Sequence, residues 1–174
     1  MTQLPVHTFA QFIGRFPEVE LPVTLTDESI SGFQQNSSPL SASMVTQFIV
    51  QDPDAEGEYV EYVPCFRIPE THGFHAVVLW RGDLMKYHYL LVTYDKKGNM
   101  IGSATIAGLE SDGASILRSV TTIDEEWILH IVEGEHDPDE ELYTPTKSRA
   151  YRMELLATGE IIFLLDEMEG PEEV

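Results

Sequence analysis

The stretch that decides the fold is Leu90-Leu91-Val92-Thr93-Tyr94-Asp95-Lys96-Lys97-Gly98-Asn99-Met100-Ile101. Its apolar and β-branched residues favour strands on either side of Asp95–Asn99. The five residues between them, Asp-Lys-Lys-Gly-Asn, are typical of a tight turn. Because so short a turn can join only antiparallel neighbours, this stretch predicts a β-hairpin.

The same two-residue period extends in both directions from this hairpin and predicts eight strands. They cover residues 59–68, 74–81, 86–94, 99–107, 115–123, 126–133, 147–156 and 160–165,. Short spacing between them predicts antiparallel strands in meander order, either as one curled sheet or as two packed sheets. Phe74–Trp80 and Trp127–Val132 carry apolar residues on both faces, which predicts that both are central strands covered on both faces.

The first fifty residues instead predict short helices. Thr8 and Gln11 fit a capping box, a second helix is expected to begin near Thr26, and Ser38 with Pro39 predicts the start of a third. The expected fold class is therefore α+β, with short N-terminal helices followed by the antiparallel strands. We expect a single domain that spans residues 1–174, with a helical N-terminal segment (residues 1–51), a β body (residues 58–165) and an acidic tail (residues 166–174).

Composition narrows the function classes. Thirty acidic residues against ten basic ones give a formal net charge of −20, which repels nucleic-acid phosphates and anionic membranes. The sequence has no apolar run long enough to span a membrane, and its first residues predict no secretory signal. The single cysteine, Cys65, excludes an internal disulfide,. We therefore expect a cytoplasmic protein that binds neither nucleic acid nor membrane.

One acidic segment resembles the opening of a calcium-binding loop. Asp52, Asp54 and Glu56 occupy positions 1, 3 and 5, and Gly57 occupies position 6,. Position 12, where a bidentate glutamate belongs, is Val63. Two interpretations follow: a weak divalent-cation site at Asp52, Asp54 and Glu56, or an acidic turn between helix and strand, which is the commoner outcome of a partial match.

A second acidic segment lies further along the chain. Residues 123–143 hold nine acids and no base. Within them, the stretch Glu133–Glu141 predicts either a solvated loop between two strands or a docking surface for a basic protein,. The candidate partner-binding residues of the docking interpretation are Glu135, Asp137, Asp139, Glu140 and Glu141.

No residue pattern predicts catalysis or a cofactor. His72 and His75 would face opposite sides of a strand, so they do not form a shared metal site. Cys65 lies in a predicted strand, where a buried apolar role is more common than nucleophilic chemistry. The aromatic residues of the strands at 74–81 and 86–94 predict packing across the sheet, with a ligand groove as the alternative.

Three segments carry a resemblance. They are Phe16-Pro17-Glu18-Val19-Glu20-Leu21-Pro22, Tyr62-Val63-Pro64 and the hairpin Tyr89–Ile106. Together they resemble uncharacterised bacterial β-rich proteins of unknown function. The resemblance implies the same fold class and a bacterial origin, and it transfers no site residue because its motifs are structural.

The sequence thus favours a binding protein over an enzyme. The leading hypothesis is a cytosolic module that presents acidic loops to a basic protein partner, as an inhibitor or immunity-type factor would. The alternative is a small-molecule or divalent-cation binding domain that uses the β face or the Asp52 loop. An enzyme ranks third.

Overall fold

The computed structural model describes residues 6–50, 60–84, 86–111, 113–136 and 147–164. In chain order the elements are α1 (Phe9–Ile13), β1 (Val23–Leu25), α2 (Ser29–Asn36), α3 (Ala42–Phe48), β2 (Glu61–Arg67), β3 (His75–Gly82), β4 (Lys86–Tyr94), β5 (Met100–Ser111), β6 (Ile116–Ile123), β7 (Ile128–His136), β8 (Lys147–Leu155) and β9 (Ile161–Leu164). All pairings between these strands are antiparallel, in the order β2 to β9, and β1 adds to β6. The predicted α+β meander is confirmed, with β1 as a ninth strand.

The sheet divides into two half-sheets at β5. This strand pairs with β4 along its length, but it pairs with β6 only over Gly108–Ser111. The other end of β6 pairs with β1 instead, from Val23↔Ile123 to Leu25↔Thr121. We call β2–β5 the first half-sheet and β6–β9 with β1 the second half-sheet.

Gly108 stands at this division and is required there. Its φ is +153°, and a Cβ atom at this position would lie 2.3 Å from the carbonyl oxygen of Tyr87. Since a side chain does not fit so close to the neighbouring strand, only glycine allows β5 to pass from one half-sheet to the other.

The main hydrophobic core lies between the two half-sheets. Both contribute fully buried side chains to it, including Val78, Leu91 and Ile106 from the first and Leu129 and Met153 from the second. Because successive residues of a strand point to opposite faces, this core uses only one face of each half-sheet.

A second core covers the other face of the first half-sheet. Phe12 and Phe16, in and just after α1, pack with Val77 and Leu79 of β3 and Val92 of β4. β3 therefore alternates between the helices and the second half-sheet, and it is buried on both faces. The double cover predicted for Phe74–Trp80 is confirmed.

The same prediction for Trp127–Val132 is wrong. Trp127 precedes β7 with a φ of +64°, and Val132 on the outer face of β7 is 53% exposed. His130, two residues before it on that face, is exposed as well. The three helices pack against the first half-sheet or the edge of the main core, so no described helix covers this outer face.

The first two helices begin close to the predicted places. Thr8 Oγ1 accepts from the backbone N–H of Gln11 at 3.1 Å, and Gln11 Oε1 accepts from the backbone N–H of Thr8 at 2.9 Å. The predicted capping box is thereby confirmed. Thr26 precedes α2, where its backbone N–H donates to Ser29 Oγ at 2.9 Å.

The predicted start of the third helix is wrong. The N-cap is Ser41, not Ser38, and its Oγ accepts from the backbone N–H of Met44 at 3.3 Å. The reason is tertiary, since the backbone N–H of Leu40 donates to the carbonyl oxygen of Tyr62 at 2.8 Å. This bond holds the chain before Ser41 in an extended conformation against β2, so this segment cannot also form the first turn of a helix.

Among the residues that the structure describes, no helix has the length and apolar character needed to cross a bilayer.

Candidate functional site

An open cleft of about 700 Å³ lies where three chain segments meet. They are the extended segment after α1, the turn between β2 and β3, and the turn between β6 and β7. The side chains that line the cleft are Glu18, Val19, Glu20, Leu21, Pro69, Glu70, Glu125 and Trp127. We call it the acidic cleft.

The extended segment is held against the edge of β2. The backbone N–H of Arg67 donates to the carbonyl oxygen of Pro17 at 2.8 Å, and the backbone N–H of Val19 donates to the carbonyl oxygen of Arg67 at 3.4 Å. Val19 and Leu21 pack against the main core. Since an extended chain alternates its faces, Glu18 and Glu20 lie on the more exposed side,.

Glu70 enters the cleft from the turn between β2 and β3. Its φ is +64°, in the left-handed region that few residues other than glycine adopt,. A backbone hydrogen bond joins the two sides of this turn, where the N–H of Ile68 donates to the carbonyl oxygen of Ala76 at 2.9 Å. The turn thus places Pro69 and Glu70 at the rim.

Trp127 forms the opposite wall and is fixed by its neighbours. Its backbone N–H donates to the carbonyl oxygen of Asp124 at 3.1 Å, and its carbonyl oxygen accepts from the backbone N–H of Leu155 at 3.0 Å. Its ring meets Phe74 edge to face, with centroids 5.8 Å apart. The indole therefore stands between the main core and the acidic cleft.

The Asp124 carboxylate organises this turn. Oδ1 accepts from the backbone N–H groups of Glu126 at 2.9 Å and Ile128 at 3.0 Å, and Oδ2 lies 2.8 Å from His130 Nε2. Burial opposes ionisation of this carboxyl group, but the hydrogen bonds from His130, Ile128 and Glu126 outweigh burial and lower its pKa,. An ionised Asp124 thus stabilises the backbone that carries Glu125 and Trp127.

The charge of the acidic cleft is largely uncompensated. Arg67 lies 3.6 Å from Glu18, whereas Glu20, Glu70 and Glu125 form no ion pair within the described ranges. Among the residues that the structure describes, no basic side chain belongs to the lining. A concave surface with one sign of charge concentrates the field and attracts cations, and the face of an indole adds a further attraction.

The acidic cleft is not the site that the sequence predicted. Glu135 lies in β7, opposite Lys147 of β8. Eight residues of extended chain separate it from Trp127, a distance of about 25 Å. Asp137, Asp139, Glu140 and Glu141, and likewise Asp52, Asp54 and Glu56 of the predicted cation site, lie outside the residues that the structure describes.

Two other sequence interpretations are resolved. Tyr89 and Tyr94 are buried, and their hydroxyl groups donate to the carbonyl oxygens of Thr26 at 3.0 Å and Phe48 at 2.7 Å. The aromatic strands therefore pack across the sheet as predicted. Cys65 is 2% exposed, and burial raises the pKa of its thiol, so it is the buried apolar residue that was expected.

No three His, Cys, Asp or Glu side chains within the described ranges of the chain are close enough together to hold a metal ion. This includes the acidic cleft, where the glutamates come from three separate segments. Its lining of glutamates together with apolar side chains suits an organic cation,.

Local sequence patterns did not indicate the acidic cleft. Glu125 lies in the acid-rich residues 123–143 but outside the predicted docking stretch Glu133–Glu141. Glu18, Glu20 and Glu70 come from ordinary turn and loop segments. Only the packing of the segment after α1 onto β2, and the register of both half-sheets, brings these residues together.

The comparisons with known proteins add no assignment. No protein family, curated protein or solved structure matches this chain.

Proposed function

We propose that this chain is a protein-binding module whose acidic cleft receives a basic segment of a partner protein. One observation carries the proposal: the described lining combines four glutamates with four apolar or aromatic side chains, and it includes no basic residue.

The lining matches the two portions of a lysine or arginine side chain. The aliphatic stem of such a side chain packs on apolar surface while its charged end stays at the rim. Val19, Leu21 and the Trp127 ring provide the apolar surface, and Glu20, Glu70 and Glu125 are not neutralised by a described ion pair. The volume is comparable to pockets of about 300–1,000 Å³ that enclose ligands of several tens of atoms, so several residues of a partner fit.

Long-range charge supports the same partner class. A net charge of −20 accelerates encounter with a basic protein and opposes encounter with an acidic one,. The predicted docking residues Glu135, Asp137, Asp139, Glu140 and Glu141 would then contact a second region of the same partner. An inhibitor or immunity-type role is one form that such binding could take.

The test is calorimetric titration with a synthetic decapeptide in which lysine and arginine alternate with leucine. The cleft variant Glu20→Gln/Glu70→Gln/Glu125→Gln is compared with the control variant Glu28→Gln/Glu61→Gln/Glu160→Gln. All three control residues are exposed and outside the cleft, so the net charge changes equally. We expect the cleft variant to bind the peptide at least about ten-fold more weakly, and the control within about three-fold of the parent.

Equal weakening in both variants would show that the peptide responds to net charge rather than to the acidic cleft. A parent protein that does not bind the decapeptide at low salt would remove the proposal altogether. An acidic decapeptide of the same length serves as the negative control for non-specific heat.

A further inference from the structure

A second concavity adjoins the acidic cleft, and Glu18 and Val19 line both. It has a volume of about 550 Å³ and is enclosed by the residues that follow α1, by the end of α2 and by β2. Its lining divides into an apolar side and a polar side, and the side chains that matter are Arg15, Phe33, Asn36, Ser38, Cys65 and Phe66. We call it the Arg15 pocket.

The apolar side is built from aromatic rings. Phe33 of α2 and Phe66 of β2 lie with ring centroids 5.8 Å apart. Cys65 lies beside them, and burial raises the pKa of its thiol, so the sulfur is neutral and adds to the apolar surface,.

The polar side is dominated by one oriented guanidinium group. Arg15 Nη2 donates to the carbonyl oxygen of Ser38 at 2.7 Å and to its Oγ at 3.2 Å. These two bonds fix the plane of the guanidinium group. Its Nε and Nη1 groups have no hydrogen-bond partner among the described residues, and a fixed fork of N–H donors suits a carboxylate.

Arg15 differs from four other arginines in having no ion pair. Ion pairs join Arg67, Arg81, Arg118 and Arg149 to carboxylates at 3.6, 3.4, 3.4 and 2.7 Å, but within the described residues Arg15 has none. The described lysines form none either, so what distinguishes Arg15 is its place beside an apolar pocket.

Neither Glu18 nor the negative net charge of the protein cancels the attraction of the Arg15 guanidinium group for an anion. Glu18 lines the same pocket, but it lies 3.6 Å from Arg67, which offsets its charge. Charges elsewhere on the surface act weakly over distances beyond about 8 Å at physiological salt.

We propose that the Arg15 pocket binds a small carboxylic acid with an aromatic or branched apolar body. The carboxylate accepts hydrogen bonds from the free N–H groups of Arg15, and the apolar body packs on Phe33 and Phe66. The residues that would hold the ligand, Arg15, Phe33 and Phe66, are not in the lining of the acidic cleft, so this proposal does not depend on the function proposed for that cleft. An apolar wall with one oriented polar group is the usual construction of a small-ligand site.

The test is a titration of the isotopically labelled full chain, followed by backbone amide NMR. Three probes share one phenylpropyl body: 3-phenylpropanoate, the neutral 3-phenylpropanamide and the cationic 3-phenylpropylamine. We expect 3-phenylpropanoate to shift saturably the amides of Gly14, Asn36 and Ser37, which line only the Arg15 pocket, and to bind at least about ten-fold more tightly than the other two probes.

Matched variants separate the guanidinium from general charge. Arg15→Gln should weaken 3-phenylpropanoate binding about ten-fold, and Arg15→Lys, which keeps the charge without the fork, should fall between parent and Arg15→Gln. Arg149→Gln makes the same charge change at an exposed arginine outside the pocket and should leave the affinity unchanged. If Arg15→Gln alters folding, the comparison of Arg15→Lys with the parent still tests the fork.

The proposal is overturned by any of three results. They are the absence of saturable shifts with 3-phenylpropanoate, binding of the amide or the amine as tightly as the acid, and equal effects of Arg15→Gln and Arg149→Gln.

Discussion

Strands β3 and β7 contain similar apolar runs, yet they have different surroundings. Val77 of β3 is 0% exposed beneath the helices, whereas Val132 of β7 is 53% exposed on the outer face of the second half-sheet. The difference comes from the first fifty residues, whose helices cover the first half-sheet. Local pattern therefore determined that both segments are strands, and distant sequence determined how many of their faces are buried.

The segments that contain β3 and β7 also differ in charge. Residues 70–122, which contain β3, hold five acids and five bases, whereas residues 123–143, which contain β7, hold nine acids and no base. Charged side chains need solvent or a partner. This agrees with the position of the acid-rich run, because it includes β7, the strand whose outer face no described helix covers. Glu125 of this run contributes to the acidic cleft.

The largest expected effect concerns the helical layer. Phe12 is fully buried and stacks on Phe48 of α3, with centroids 4.7 Å apart. Phe12→Ala should lower the free energy of unfolding by about 3–5 kcal/mol, because it leaves a cavity between the helices and β3. Denaturant unfolding measures this change. A loss below about 1 kcal/mol would show that the helices do not cover the first half-sheet in solution.

A matched pair of identical substitutions tests the two strands directly. Val77→Ala should lower the free energy of unfolding by about 2 kcal/mol, since the lost methyl groups are buried on a filled face. Val132→Ala should change it by less than about 0.5 kcal/mol, because the side chain is already half in water,. The same denaturant series measures both. Equal losses would mean that β7 is covered on both faces after all.

A smaller effect is expected at the β6–β7 turn. Asp124→Ala removes the acceptor for the N–H groups of Glu126 and Ile128, and should lower the free energy of unfolding by about 1 kcal/mol,. Because the turn positions Trp127, the tryptophan emission should also shift. The neighbouring exposed variant Glu126→Ala is the control, and it should change neither quantity. An Asp124→Ala protein with parental stability and emission would contradict the role given to this carboxylate.

The smallest effect is the pH dependence of the same turn. The folded-state pKa of Asp124 lies below its unfolded value of about 3.9,. Its contribution is therefore fully present above that value and is lost as the pH falls through the folded pKa. The stability difference between parent and Asp124→Asn should be below about 1 kcal/mol at neutral pH and should vanish in strong acid. A difference that grows on acidification would have the wrong sign.

Sequence alone located the strands well because alternation and turn residues are local signals. It missed β1, since three residues after Pro22 are too few to show a period. It misplaced the cap of α3, because the bond from Leu40 to Tyr62 that holds the chain extended is made across the fold. The acidic cleft was missed for the same reason, as its glutamates meet only through long-range pairing.

The central claim, that the acidic cleft binds a basic segment, is tested most directly by the fluorescence of Trp127. A Trp80→Phe variant leaves Trp127 as the single tryptophan, and it is titrated with the basic decapeptide at low and at high salt. We predict a saturable change of emission whose midpoint moves to higher peptide concentration as salt is added. Peptide binding that calorimetry detects while the emission of Trp127 stays constant would place the peptide elsewhere and contradict the claim.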